Sequence, residues 1–526
     1  MTDWTVMSSN EHGSALESDD DEGREQWIAA HRLPAVVAST AAREGWQPAQ
    51  ALIEKHWDRY VSTDPDRLLQ AIRALPGDAF IERPTMLVAA AFLQHVIIGG
   101  EPSKFSHGEW LDAASGAGQI ALMDTLGLLT GKTASLRTEG RLSEAVRAAE
   151  EARTAWETAT AAERSTVGVS LPHFRIQWGR SFELADASGA DLEYEEAYAL
   201  AMSTKQPAVA RRAAGQLAWL HAQRGQLNSA QSWLGHARAL APTSGRYEAV
   251  IYLTEALLRV DRGDIPGAGR ELARTRGLDE GEYWSAALWV RSMHAHGPAA
   301  ATIVESQLVE EAERRGKALL RRGAHGRYVR AAKARISALR RSPADAAVAL
   351  ALSSTDRVIA AAAAFADQQH EKAIALAEPA GVASEPPRIR CAALLVVAAA
   401  QRVAGNTGEA ATIFAQANAL IEHERLYSAY ECVPSAEVEH LAAIAGAPLS
   451  TAPSPRTGGD LPEYGLTRRE AEVLTLLVTD RPMARIAADL YISPNTLKAT
   501  VRRVYRKIGA NSRHDATRLV SLGGRL

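Results

Sequence analysis

The residues with the most to offer chemically lie between Pro494 and Ile508, in the run PNTLKATVRRVYRKI. Wound at 100° per residue, Asn495, Lys498, Ala499, Arg502 and Arg506 fall on one side, and Leu497, Val501, Val504 and Ile508 on the other. None of the outward groups is a nucleophile with a base beside it. What they can do is donate hydrogen bonds. Lys498 and Arg502 suit guanine O6 and N7, and Ala499 between them suits a thymine methyl or a close approach of backbone. Asn495, Thr496, Arg503 and Arg506 lie toward the rims, where phosphates position a protein without reading sequence. The chemistry is recognition of double-stranded DNA.

Such a face needs rigid elements behind it. Ser493-Pro494 is an N-cap serine followed by a residue pre-set for the first helical turn, so a helix is expected over roughly 494–508. Ile486, Ala487 and Leu490 suggest a short helix before it. Thr467 and Glu470 have the spacing of a capping box, and Val473, Leu474 and Leu477 continue it as an apolar stripe. A short helix, a tight turn and a longer basic helix make a helix-turn-helix, whose second helix enters the major groove. Asn511 is the expected N-cap of a last helix carrying Ala516, Leu519 and Val520.

This segment resembles the C-terminal DNA-binding domain of LuxR-type transcriptional regulators. The family pattern runs LTxRExEVLxLL, IAxxLxIS and TVKxHxxxIYRKLG; this chain has LTRREAEVLTLL, IAADLYIS and TLKATVRRVYRKIG, without a gap. It departs at Asp480, where glycine is usual, at Arg485, where an acidic residue is common, and at Thr500, where many members have histidine. The resemblance implies a homodimer on DNA, with Ala516, Leu519 and Val520 as the dimer contact or as packing within the domain. It also implies RNA polymerase as a partner and no cofactor.

Charge is unevenly spread along the chain. The whole of it has 59 Lys and Arg and 62 Asp and Glu, yet residues 464–526 hold 12 basic against 5 acidic residues. A basic terminus on an acidic body fits a nucleic-acid-binding piece attached to something that is not itself a polyanion binder. Two cysteines, Cys391 and Cys432, give no disulfide framework and no cysteine zinc site. The N-terminus lacks the basic start and apolar core of a signal peptide, and the longest apolar run, Cys391 to Ala400, is too short to span a bilayer. A cytoplasmic protein without a membrane partner is expected. Residues 1–25 carry eight acidic residues and one arginine and are expected to be a disordered tail, solubilising or mimicking DNA.

From 26 to 445 the chain is rich in alanine, leucine and arginine with 3.6-residue periodicity, which reads as nearly all helix. A small-residue pattern recurs. Ala218, Gly225, Ala230, Ala237 and Pro242 are echoed by Ala256, Gly263 and Ala268, and by Ala398, Gly405, Ala410 and Ala417. Ala361, Ala373 and Ala380 repeat it, as do Gly140, Ala145 and Ala152. Antiparallel helices approach closely where side chains are small, and glycine permits the turn between them. Each pair leaves an apolar face for the next, hence a tetratricopeptide-like solenoid. Residues 64–93 resemble the opening of the helical-repeat domain in MalT-like members of the LuxR group, here without room for their ATPase.

Other candidates yield to blander readings. Gly127 to Thr133, GLLTGKT, is like a phosphate-binding loop but is one residue short and follows a helical pattern. Arg314 to Arg341 holds eleven Lys and Arg, either a second anion-binding face or, as favoured, a solvated face paired with acids such as Glu310, Glu311 and Glu313. Trp219, Trp233, Trp284 and Trp289 are expected in cores rather than in a groove, and His294 with His296 lacks further ligands. Residues 446–463, with four prolines and three glycines, are a linker. The expectation is therefore an all-α protein: a disordered tail (1–25), a helical-repeat sensor of an unknown small-molecule or protein effector (26–445), a linker (446–463), and a small four-helix helix-turn-helix domain (464–526). It would regulate transcription without being an enzyme. The competing reading is an interaction scaffold whose C-terminal domain does not read DNA.

Overall fold

The computed structural model describes residues 32–83, 121–242, 246–278, 280–315, 322–340, 353–447, 468–478, 482–490, 492–508 and 515–517, with a few single positions between them. The expected tail 1–25, most of the linker, and Thr467, Asp480, Asn511, Leu519 and Val520 lie outside the described residues. Among the described residues there are helices and turns and no strand, as the all-α reading expects. The chain divides into two compact units, residues 1–178 with 200–209, and residues 179–199 with 210–526.

In the first unit, α1 (Leu33–Glu44), α2 (Trp46–Thr63), α3 (Pro65–Arg73) and α4 (Gly77–Glu82) pack around Leu33, Val37, Ile53, Leu68 and Ile72, all fully buried. Asp64 starts α3 by accepting the Arg67 amide at 3.1 Å, with Pro65 next to it in the first turn. Then come α5 (Leu122–Thr138), α6 (Leu142–Thr158) and α7 (Ala161–Val167), the last opened by a capping box between Thr160 and Glu163. The string Gly127 to Thr133 lies wholly inside α5. Thr133 Oγ1 donates to the Thr130 carbonyl at 2.7 Å, and Trp178 Nε1 donates to Thr130 Oγ1 at 2.8 Å. Helical backbone of this kind forms no loop around a phosphate.

Helices α8 (Leu171–Leu184), α9 (Ala190–Ser203) and α10 (Pro207–Arg224) are divided between the two units. The second unit continues with α11 (Leu227–Arg238), α12 (Arg246–Asp261), α13 (Ile265–Arg274), α14 (Trp284–His294), α15 (Gly297–Arg315) and α16 (Gly323–Arg340). It goes on through α17 (Ser354–Ala366), α18 (His370–Ala377), α19 (Pro387–Val403), α20 (Thr407–Glu424) and α21 (Ser435–Ala445).

The small-residue pattern is where the helices cross. Ala145, Ala152, Ala218, Ala230, Ala237, Ala256, Ala268, Ala361, Ala373, Ala380, Ala398, Ala410 and Ala417 are all fully buried. The turns share one geometry. Gly140, Gly225, Gly263 and Gly405 have φ of 73°, 82°, 80° and 89°. The next residue's amide reaches back five positions, as in Gln226 to His221 at 3.0 Å and Asn406 to Gln401 at 2.9 Å. That bond with a left-handed residue before it is a Schellman turn, which glycine adopts without a Cβ clash. Between α17 and α18 the same bond, Gln369 to Ala364 at 2.8 Å, is made with Gln368 at φ 63°. Glycine is therefore favoured at this turn but not required, which is why the α17–α18 pair carries alanines without it.

Among the described residues of the arginine-rich stretch, Arg314, Arg315, Arg327, Arg330 and Arg335 are paired. Arg314 and Arg315 hold Glu311 at 2.7 and 2.6 Å, as a neighbour on their own helix. The remaining partners are distant in sequence: Arg327 with Asp186, Arg330 with Asp356 and Arg335 with Glu431, at 2.8, 2.5 and 2.7 Å. Trp219, Trp284 and Trp289 are buried, and Trp233 is half-buried with its ring edge-on to Tyr198. All four serve packing.

Candidate nucleic-acid interface

The C-terminal part of the second unit is built from α22 (Arg468–Leu477), α23 (Met483–Asp489) and α24 (Pro494–Ile508). Val473, Leu474 and Leu477 of α22, Ile486 and Ala487 of α23, and Leu497, Val501, Val504 and Ile508 of α24 form one buried cluster. The apolar stripe expected along 494–508 is thus the face that fixes α24. Ser493 caps it, accepting the Thr496 amide at 3.1 Å, with the two hydroxyls 2.8 Å apart. Before the cap, the Ile492 amide reaches the Ala487 carbonyl at 3.0 Å, which closes the turn between the two helices.

With that face buried, the opposite one is open. Asn495, Thr496, Lys498, Ala499, Arg502, Arg503 and Arg506 are all exposed. The structure brings every base-reading and phosphate candidate onto one surface. Among the described residues Lys498, Arg502 and Arg506 make no ion pair, whereas most arginines of the helical repeats do. Thr500 explains one departure from the LuxR pattern: it is buried, and its hydroxyl donates to the Thr496 carbonyl at 2.9 Å within the helix.

Three placements add to the sequence reading. Ala516 is fully buried in the domain's own cluster, so packing within the domain, rather than a partner, accounts for it. The Ser512 hydroxyl accepts the Asp515 amide at 3.0 Å, while the expected cap, Asn511, lies outside the described residues. Glu470 reaches across to α24, accepting from Lys507 Nζ at 2.7 Å, with Arg503 Nε 3.6 Å away. Lys507 lies 37 positions from Glu470, beyond any local spacing signal. Arg513 adds a further tie, donating to the Leu477 carbonyl at the end of α22 at 2.7 Å.

Residues 465–520 match the family described as bacterial regulatory proteins, luxR family. They are a LuxR-family helix-turn-helix domain. Over 62 residues, 12% of this chain and 31% of its relative, the sequence is 44% identical to the response regulator RamR of Streptomyces coelicolor. It is 28% identical over 97 residues, 18% of this chain, to the probable HTH-type transcriptional regulator GfsR of Streptomyces halstedii, covering 38% of that protein. The spore germination protein GerE of Bacillus subtilis is 39% identical over 51 residues, 10% of this chain and 69% of GerE. The chain therefore spans only about a third of RamR and GfsR. No solved structure matches it. The LuxR-family likeness belongs to the C-terminal segment, and the helical repeats stand on their own geometry.

Outside this domain, one of several pairings that no spacing announced joins Ser285 to His325. Ser285 Oγ and His325 Nδ1 are 2.7 Å apart, a hydroxyl beside an imidazole. Ser285 is fully buried and His325 nearly so, which closes the hydroxyl to any substrate from solvent. Among the described residues no group of three or more His, Cys, Asp or Glu is placed to hold a metal ion, and no helix is long and apolar enough to cross a membrane.

Proposed function

We propose that this chain is a sequence-specific DNA-binding regulator of transcription, non-enzymatic and cytoplasmic, that works with RNA polymerase. Lys498, Ala499 and Arg502 of α24 read base edges, and Asn495, Thr496 and Arg506 meet phosphates on either side. Arg503 lies on the flank, where Glu470 competes for it. The observation that carries this reading is the exposed, unneutralised trio Lys498, Arg502 and Arg506, on a helix whose other face is locked into a buried core. Many arginines on the other helices lie beside carboxylates, as Arg141 does beside Glu144 and Arg274 beside Glu271, whereas this trio presents its charge to a polyanion. The tetratricopeptide-like repeats sense a small-molecule or protein effector and control the domain. Support for that coupling is the packing of α22 on α15, where Ile303 lies against the domain's core. On DNA the protein forms a homodimer, with Leu519 and Val520 as the remaining candidates for the contact.

The test is selection of bound fragments from genomic DNA by the full-length chain, followed by binding of Lys498→Ala/Arg502→Ala. A shared sequence in the bound fragments, lost in the double variant, is expected. Each base contact removed should cost about 1–3 kcal/mol at the cognate site. An unchanged preference in the double variant removes the base-reading assignment, and binding with no preference at all favours the scaffold.

A further inference from the structure

The five basic residues of α24 are not equivalent. Arg502 and Arg506 point to solvent beside Lys498, while Arg503 and Lys507 are turned toward a carboxylate. That carboxylate, Glu470 of α22, is only 5% exposed. It accepts from Lys507 Nζ at 2.7 Å and lies 3.6 Å from Arg503 Nε. Arg503 is held from a second side, since its Nη2 donates to Thr500 Oγ1 at 3.2 Å. Leaving a buried carboxylate unpaired is costly, so Glu470 retains its cations unless something repays their loss.

We propose that Glu470 is a positioning residue for DNA binding, a counter-charge that keeps Arg503 off the phosphate backbone. The proposal rests on the DNA-binding reading above. A cation on a phosphate strengthens binding to every duplex alike, because it releases condensed counterions whatever the sequence. A cation held by Glu470 contributes nothing to that common attraction. The sequence-independent part of the affinity is then set by Arg506 and its neighbours, while Lys498 and Arg502 remain free for base edges. Lys507, half-buried and turned further from the reading face, stays within the domain in either case.

The experiment measures affinity of the full-length chain for a random-sequence duplex across a range of salt concentrations. Arg506→Gln is expected to flatten the plot of log K against log salt by about 0.9, one phosphate contact. Arg503→Gln should leave the slope where it is. Glu470→Gln should steepen it by about 0.9 and tighten binding roughly eightfold near 0.1 M salt. The double variant Glu470→Gln/Arg503→Gln should return to the wild-type slope, an effect that mere loosening of the fold would not produce. An Arg503→Gln slope as flat as that of Arg506→Gln overturns the proposal, as does an unaltered slope in a folded Glu470→Gln. Where Glu470→Gln fails to fold, the comparison of Arg503→Gln with Arg506→Gln decides alone. A wild-type chain that binds no duplex removes the DNA-binding reading itself, and this proposal with it.

Discussion

Arg388 grips Asp261 with both terminal nitrogens, at 2.9 and 2.6 Å, across 127 positions of sequence. Asp261 is fully buried and also accepts from Ser428 Oγ at 2.5 Å. The same guanidinium donates to the carbonyls of Gln223 and Ala222, at 3.1 and 2.9 Å, where α10 ends. One side chain thus ties α19 to the ends of α10 and α12. Asp261→Ala leaves that charge without its partner, and a loss of about 3–5 kcal/mol is expected in denaturant unfolding. Arg402→Ala, which breaks a more exposed pair with Glu437, should cost about 1 kcal/mol or less. Equal losses would mean that the buried pair does not close the repeats.

Beside this tie the turn glycines differ in a way that can be measured. Gly225 and Gly405 have nearly the same φ, 82° and 89°. A Cβ on Gly225 would sit 2.7 Å from the Arg388 amide nitrogen, whereas one on Gly405 meets nothing within 4 Å. Gly405→Ala should cost only the left-handed penalty, about 1 kcal/mol. Gly225→Ala adds a clash with backbone that cannot step aside, so it should lower the melting temperature by clearly more. Matching shifts would show that the approach of α19 to this turn is looser than described.

These two sites show what the sequence makes legible. Alanines such as Ala218 and Ala230, with glycine at the turn, recur because helix crossings impose the same size limit at each repeat. That is a local rule, and it is visible as a period. The apolar and basic faces of α24 follow from a local rule too, so all seven reading and phosphate candidates emerged exposed together. Asp261 with Arg388, Glu470 with Lys507 and Ser285 with His325 obey no local rule. Each depends on which helices the fold brings side by side, and a charged residue at those positions reads in the sequence as one more surface charge. Glu470 is one case: Thr467, its expected capping partner, lies outside the described residues, and its contact with Lys507, 37 positions away, has no counterpart in local spacing.

His325 should make stability depend on pH. Its ring stacks on Trp284 with centroids 5.2 Å apart, and burial, with the positive charge of Arg180 and Arg315 outweighing Glu282, pushes its pKa from the usual 6.5 to about 3. The folded protein therefore holds it neutral where the unfolded chain takes up a proton. This contribution to stability is complete above about pH 6.5 and is lost progressively as pH falls toward 3. Melting temperatures taken from pH 7.5 to 4.5 should fall less steeply in His325→Gln than in the wild type. Parallel curves would place the acid sensitivity elsewhere.

The thiols should be silent in the native protein. Burial pushes the Cys391 thiol up to about 12, and it raises that of Cys432 as well, whose sulfur lies 3.6 Å from the Ala392 carbonyl. The thiolate is the reactive form, so neither should titrate with a disulfide reagent at pH 8 until the chain unfolds. Two equivalents released in denaturant and none before is the expected record. Fast reaction of either thiol in the native state would show that α19 opens far more readily than its burial implies.

Ile303 on α15 decides how firmly the LuxR-family domain is held. It is half-buried against a cluster that Val473, Leu474, Val501 and Val504 already complete on their own. Covering half of one isoleucine is worth about 1 kcal/mol, enough to bias a position and too little to lock it. Ile303→Asp should therefore free the domain without unfolding it. Amide exchange should rise along Gly297–Arg315 and stay slow at Val501 and Val504. Affinity for duplex DNA should hardly move, because Lys498, Arg502 and Arg506 are exposed in the docked arrangement already. A large gain in affinity would instead mean that docking covers the reading face, and that release, rather than placement, is how the repeats act on it.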